Sequence, residues 1–96
     1  MDADEATRLC DELHACIDQG PGENSEALAR ALGALRRLRE EAAWDYPITI
    51  TMKIELLLVR WFSLQPWRDS NEQRRCRENL LDQISRLEDA WDRPRA

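Results

Sequence analysis

The stretch TMKIELLLVRWFSL, residues 51–64, decides the fold class, because it is apolar on nearly every side of a helix. Only Lys53 and Arg60, seven residues apart, share a narrow polar edge on the helical wheel. A helix of this kind must be covered on most sides by other parts of the protein. It is too short and too charged to cross a bilayer, which takes about 20 predominantly apolar residues.

Three amphipathic segments flank this stretch and are expected to cover it. Apolar residues at three- and four-residue steps predict helices over residues 3–18, 25–44, 51–64 and 71–92. The Asp45-Tyr46-Pro47 segment is expected to stop the second helix, because the residue before a proline is disfavoured in a helix. The connections are short, which favours antiparallel neighbours. Residues 1–96 are therefore predicted to form one all-α domain, a four-helix antiparallel bundle or a pair of helical hairpins with the third helix central.

The composition fits this class and excludes several functions. Hydrophobic residues make up 43% of the chain, enough for a core, and only three glycines and four prolines interrupt it. A net charge of −5 argues against nucleic-acid binding, which needs a positive field. The acidic start and the three cysteines without scaffold spacing predict a protein of the reducing cytoplasm.

The first predicted helix carries most of the negative charge. Residues 1–20 hold six acids against one base, so the rest of the chain is neutral overall. Asp4, Asp11 and Asp18 form one row opposite the apolar stripe, with Glu12 beside it. Such a row suits a basic partner, and it also fits solubility alone.

Aromatic residues at helix ends form a second candidate surface. Trp61 and Trp91 fit the predicted buried stripes, whereas Trp44, Tyr46 and Trp67 do not. Aromatic side chains near exposed loops are frequent binding anchors, although they can also cap the end of a bundle. The candidate partner-binding residues are therefore Asp4, Asp11, Glu12, Asp18, Trp44, Tyr46 and Trp67.

The sequence offers little for chemistry. Cys10 and His14 are four residues apart and can face one ion, but Cys16 lies about 120° away on the same helix. Cys76 is distant, no CxxC pair supports a metal site, and burial in apolar stripes explains the cysteines. The chain has no Gly-rich phosphate loop and no HExxH or GxSxG motif. We therefore expect no enzyme, no metal and no cofactor.

Three general features of the chain are shared with a known class of proteins. They are its length, its acidity and the apolar helix that follows Ala34-Leu35-Arg36-Arg37-Leu38-Arg39. The chain resembles the small all-helical immunity proteins that bacteria pair with type VI or contact-dependent toxins. The resemblance implies a noncatalytic inhibitor that binds a cognate toxin and blocks its active site or substrate access. The acidic row is compatible with a basic toxin cleft.

Two other functions stay open from the sequence. A homodimeric scaffold or a secretion chaperone would use the third helix, with a second copy covering it. A phage anti-defence protein or a regulatory inhibitor would use the acids to mimic nucleic acid. The arginines at positions 36, 37 and 39 are interleaved with acids, and they predict ion pairs such as Arg36–Glu40 and Arg37–Glu41 on the surface of the second helix. In every case the expected partner is a protein, and neither nucleic acid nor a membrane is expected.

Overall fold

The computed structural model describes residues 1–92 and contains four α-helices. They are α1, Ala3–Asp18; α2, Ser25–Glu40; α3, Asp45–Trp61; and α4, Ser70–Asp92. Over these 92 positions no residue lies in a strand, so the all-α prediction is confirmed. None of the described helices is long and apolar enough to span a membrane. Residues 93–96, which the predicted domain includes, lie outside the described part of the chain.

The helices form an up-and-down antiparallel bundle. The α1 helix packs against α2 and α4, and the α3 helix packs against the same two neighbours. Short connections reverse the chain after each helix, so α1 and α3 occupy one diagonal of the bundle. The outer faces of two diagonal helices point to opposite sides of the molecule, which separates the outer face of α1 from that of α3.

Each helix buries one apolar stripe in a shared core. Fully buried side chains come from all four helices: Leu13, Ile17, Leu35, Leu38, Ile54, Leu58, Leu80, Ile84 and Leu87. Those on α1, α2 and α4 lie on the apolar stripes that the three- and four-residue spacing predicts. Burying each of these side chains contributes roughly 1.5–3 kcal/mol to folding.

The boundary between α2 and α3 differs from the prediction. The sequence predicts that the second helix reaches residue 44 and that the third begins at residue 51, but α2 ends at Glu40 and α3 begins at Asp45. Pro47 is the third residue of α3, where a backbone N–H has no intrahelical acceptor, so proline removes no hydrogen bond there. The segment expected to stop α2 therefore starts α3. The α3 helix also ends at Trp61 rather than at residue 64.

A buried tryptophan joins α1 to α3 across the diagonal. The Trp61 indole N–H donates a hydrogen bond to the Ile17 carbonyl oxygen over 3.1 Å. Gly20 makes room for this ring, because a Cβ at that position would lie 2.7 Å from Trp61 Nε1. The carboxyl-terminal ends of α1 and α3 are thus held together beside the α1–α2 and α3–α4 loops.

Candidate protein-binding surfaces

The predicted acidic row lies on the outer face of α1. Asp4, Asp11 and Asp18 are all exposed and follow one another at seven-residue steps. Asp4 and Asp11 make no ion pair with any of the described side chains of residues 1–91. These two carboxylates therefore carry the uncompensated negative charge of this face.

The other acids of α1 are neutralised by arginines on neighbouring helices. The three cross-helix pairs are Glu5–Arg37 at 3.1 Å, Glu12–Arg30 at 3.3 Å and Asp18–Arg77 at 3.1 Å. Arg37 thus pairs with α1 instead of with Glu41, and the predicted Arg36–Glu40 pair is absent from the described residues. Glu12 and Asp18 help to hold the bundle together, and they are less available to a partner than Asp4 and Asp11.

The aromatic candidates behave differently from one another. Trp67, in the loop between α3 and α4, has 80% of its surface exposed and does not cap the bundle. Trp44 is half-buried against the core, and the centroid of its ring lies 5.5 Å from that of Tyr46. Trp44 therefore closes one end of the bundle, with the partly exposed Tyr46 ring beside it.

The structure does not bring the seven candidate residues together. Trp44 and Tyr46 lie at the end that holds the α2–α3 loop, near the start of α1, where the Met1 amino group is 3.4 Å from Glu41. Trp67 lies at the opposite end, in the loop whose Pro66 packs close to Gly22. A 16-residue helix such as α1 is about 24 Å long, so the acidic row links two aromatic ends that are far apart.

The outer face of α3 is a further exposed surface, and none of the seven candidate residues predicted from the sequence lies on its apolar row. Met52, Leu56 and Val59 are 56%, 74% and 51% exposed and form one row at four- and three-residue steps. The α3 helix packs on both neighbours, as expected of the most apolar helix, but this side of it faces water. The signal in the sequence was the apolar character of α3 all round, which the bundle covers only in part.

A network of polar contacts between α2 and α3 was also not predicted from the sequence. Arg39 donates one hydrogen bond to the Thr51 hydroxyl over 3.1 Å and a second to the Glu55 carboxylate over 3.0 Å. Thr51 is fully buried, and its hydroxyl donates to the Ile48 carbonyl oxygen over 2.7 Å. Arg39 therefore holds two helices together, and Glu55 is occupied by it.

The cysteines belong to the core, as predicted. Cys10, Cys16 and Cys76 are all buried, and the Cys76 thiol donates to the Leu57 carbonyl oxygen over 3.4 Å. Burial raises the pKa of Cys16, and the nearby Glu12 carboxylate raises it further. His14 lies at the surface, 3.6 Å from Glu88. No group of metal-ligating side chains in the described part of the chain could hold an ion.

No protein-family model matches the chain, and no curated protein or solved structure is significantly similar to it. The resemblance to immunity proteins therefore stays a prediction. Only the surface chemistry of the bundle itself bears on the function.

Proposed function

We propose that this protein is a noncatalytic inhibitor that binds another protein, of the kind with which bacteria neutralise a cognate toxin. The outer face of α1 is its contact surface, and the partner presents a basic surface to it. The observation that carries this proposal is the pair of exposed carboxylates of Asp4 and Asp11. Neither forms an ion pair with the described side chains of residues 1–91, whereas arginines pair with Glu5, Glu12 and Asp18. Arg8, the cation between them on α1, is paired with Glu5 at 3.7 Å.

The spacing of the two carboxylates suits long-range attraction. Seven residues of helix separate them by about 10 Å along the axis, close to one Debye length at 0.1 M salt. At physiological ionic strength the Debye length is about 8 Å, so the two charges attract a basic surface over about that distance before contact, and more strongly at lower salt. Complementary charge of this kind mainly raises the association rate and selects the partner.

The aromatic ends supply apolar contact area for such a complex. Trp67 is the most exposed large hydrophobic side chain of the described residues, and an indole adds much contact area at little entropic cost. It lies at the same end of the bundle as Asp18, so a partner that covers the carboxyl-terminal half of α1 is within reach of it. We place this binding in the cytoplasm, where three buried cysteines are compatible with a reducing environment.

Charge reversal tests the contact surface. The Asp4→Lys/Asp11→Lys double variant changes only exposed residues, so it should fold normally. The matched control is Glu78→Lys, which reverses an exposed and unpaired acid on α4. Each protein is immobilised, and the proteins captured from native lysate are quantified by mass spectrometry. A basic protein should be retained by the wild type and by the control, and it should be lost from the double variant.

The captured protein then tests inhibition. Its expression alone should arrest growth of a bacterial host, and co-expression of the wild-type chain should restore growth. We expect the double variant to bind at least about tenfold more weakly, with a shallower dependence of affinity on salt. Equal affinity and equal salt dependence for the wild type and the double variant would rule out the α1 face.

A further inference from the structure

A shallow, open groove lies between α3 and α4, on the side of the bundle away from α1 and α2. Leu56 and Leu57 form its apolar wall, Asn79 and Gln83 line the α4 side, and Lys53 lies at its edge. We propose that this groove and the adjoining α3 row bind an amphipathic helix of a partner protein, one whose flanks carry acidic residues. This second surface is separate from the α1 face, and the inference does not rest on the proposed function.

The apolar part of the surface is a row of three exposed side chains, not a single exposed residue. Met52, Leu56 and Val59 stand on one side of α3 over about two helical turns, each more than half exposed. A single exposed leucine is common on a soluble protein, but a continuous row is typical of an interaction site. Leu57 extends the row into the groove.

The charged part of the surface is positive on a chain with a net charge of −5. Lys53 forms no ion pair with the described side chains of residues 1–91. Arg75 precedes Asn79 by one helical turn, so it stands on the same side of α4, and it is likewise exposed and unpaired in the described chain.

Two of the acids beside the groove are neutralised. Glu72 lies 2.6 Å from Arg60 and bridges the two helices at one end of the groove. Asp82 lies 2.9 Å from Arg86 further along α4.

Glu78, which is exposed and unpaired among residues 1–91, stands three residues after Arg75 and offsets part of its charge. No acid stands three or four residues from Lys53, so the groove presents an uncompensated cation beside apolar side chains, which an acidic amphipathic partner complements.

The shape of the surface favours a helix over an extended peptide. Residues 1–92 contain no strand, so there is no sheet edge to which an extended segment can add. Two adjacent antiparallel helices leave a groove that accepts a third helix by ridges-into-grooves packing. The four- and three-residue spacing of the α3 row matches the spacing of anchors along one side of such a helix.

A second copy of the chain, an occupant that the sequence leaves open, complements this surface less well. An isologous contact presents the same face from both copies. When two α3 helices meet antiparallel around Leu56, Lys53 of one copy faces Val59 and Arg60 of the other, and no carboxylate is opposite it. Glu55, on the α2 side of α3, is already bonded to Arg39.

Two synthetic peptides of about 18 residues test the proposal. Both are designed as amphipathic helices with the same leucines at three- and four-residue steps; one has glutamates along its flanks and the other has lysines. Each is titrated into the isotope-labelled full chain and followed by amide chemical shifts. We expect the glutamate peptide to bind at least about tenfold more tightly than the lysine peptide, with the largest shifts around Leu56, Leu57 and Asn79.

Four variants assign the interaction. Lys53→Glu/Arg75→Glu should reverse the preference, so that the lysine peptide binds better. Leu56→Ser should weaken both peptides. Arg36→Glu, which reverses an exposed and unpaired cation on α2, should change neither. The Asp4→Lys/Asp11→Lys variant should bind the peptides like the wild type, so failure of the α1 proposal leaves this result intact.

Several outcomes overturn the proposal. They are no binding of either peptide at millimolar concentration, equal binding of both, and shifts confined to another face. Sedimentation analysis that shows self-association, abolished by Leu56→Ser, would assign the surface to a second copy. Tighter binding to vesicles of phosphatidylcholine and phosphatidylglycerol than to the glutamate peptide, lost in the same variant, would assign it to lipid.

Discussion

The outer faces of α1 and α3 point in opposite directions and differ in their chemistry, although the inner faces of the two helices are alike. Among the described residues, the exposed large hydrophobic side chains are four on α3, namely Tyr46, Met52, Leu56 and Val59, and Trp67 in the loop that follows. The α1 helix exposes none and presents carboxylates instead. The inner stripes determine the fold, so the outer faces are free to differ, and their difference bears on function.

The difference also shows how one small bundle can serve two partners. Charge on α1 acts at a distance and suits selection of a basic partner. Apolar area on α3 acts only in contact and suits a surface that becomes buried. Because the two faces lie on opposite sides, a protein bound to one leaves the other open.

The contrast between the inside and the outside of α3 gives the largest expected effect. Ile54 is fully buried and Leu56 is 74% exposed, only two residues apart. Ile54→Ala should lower the free energy of unfolding by about 2–5 kcal/mol, because it leaves a cavity in the core. Leu56→Ala should change it by less than about 0.5 kcal/mol. Urea denaturation followed by helical circular dichroism measures both.

The same measurement on a buried residue of α1 is the control for the comparison between α1 and α3. Leu13→Ala should cost as much as Ile54→Ala, because Leu13 is also fully buried. A large loss from Leu56→Ala at high protein concentration that disappears on dilution would show that the outer row of α3 is covered by a second copy. In that case the two outer faces would not be equally open in solution.

The hydrogen bond that joins α1 to α3 gives the next effect. Trp61→Phe removes the bond from the indole to the Ile17 carbonyl oxygen and part of a buried ring. We expect a loss of about 1–2 kcal/mol in unfolding free energy, since Ile17 still accepts a bond from the Gly20 N–H. Trp67→Phe is the matched control, and it should cost less than about 0.5 kcal/mol. Equal losses from the two variants would mean that α1 and α3 are not joined in this way.

The sequence predicts the inner faces better than the connections. The spacing of apolar residues locates all four helices and their buried stripes, because one-sided burial imposes a helical period. It misplaces the start of α3, because proline is tolerated in the first turn of a helix as well as after the end of one. The choice between these positions for Pro47 depends on how α3 packs on α2, which a local rule does not contain.

The candidate surfaces were predictable to different degrees. Exposure of Asp4 and Asp11 follows from the helical wheel alone. Neutralisation of Asp18 does not, because its partner, Arg77, is 59 residues away in the chain. The exposed row of α3 required knowledge of which sides its neighbours cover. Exposure of Trp67 depends on the path of a loop, for which the sequence has no periodic signal.

The smallest expected effect is on the pH dependence of the unfolding free energy. It reports how well the inner faces of α1 and α3 exclude water from the nearby cysteine thiols. Cys16 reports on α1, and Cys76, bonded to the Leu57 carbonyl oxygen, reports on the packing of α4 against α3. Burial raises the pKa of both thiols. At Cys16 the Glu12 carboxylate adds to the rise and Arg30 opposes it; at Cys76 Arg60 opposes the rise and Glu72 adds to it. In the unfolded chain a thiol titrates near its ordinary pKa of about 8.5.

The sign of the pH dependence follows from these directions. Above about pH 8.5 the unfolded chain loses thiol protons that the folded chain retains, so the free energy of unfolding falls as pH rises, and the contribution is fully present below that pH. Cys16→Ala and Cys76→Ala should each make this fall shallower between about pH 8 and pH 9.5, relative to the wild type measured in the same buffers. An unchanged slope in Cys16→Ala with a shallower slope in Cys76→Ala would mean that water reaches the inner face of α1. The two helices would then differ on their inner faces as well, and the contrast could no longer be assigned to their outer surfaces alone.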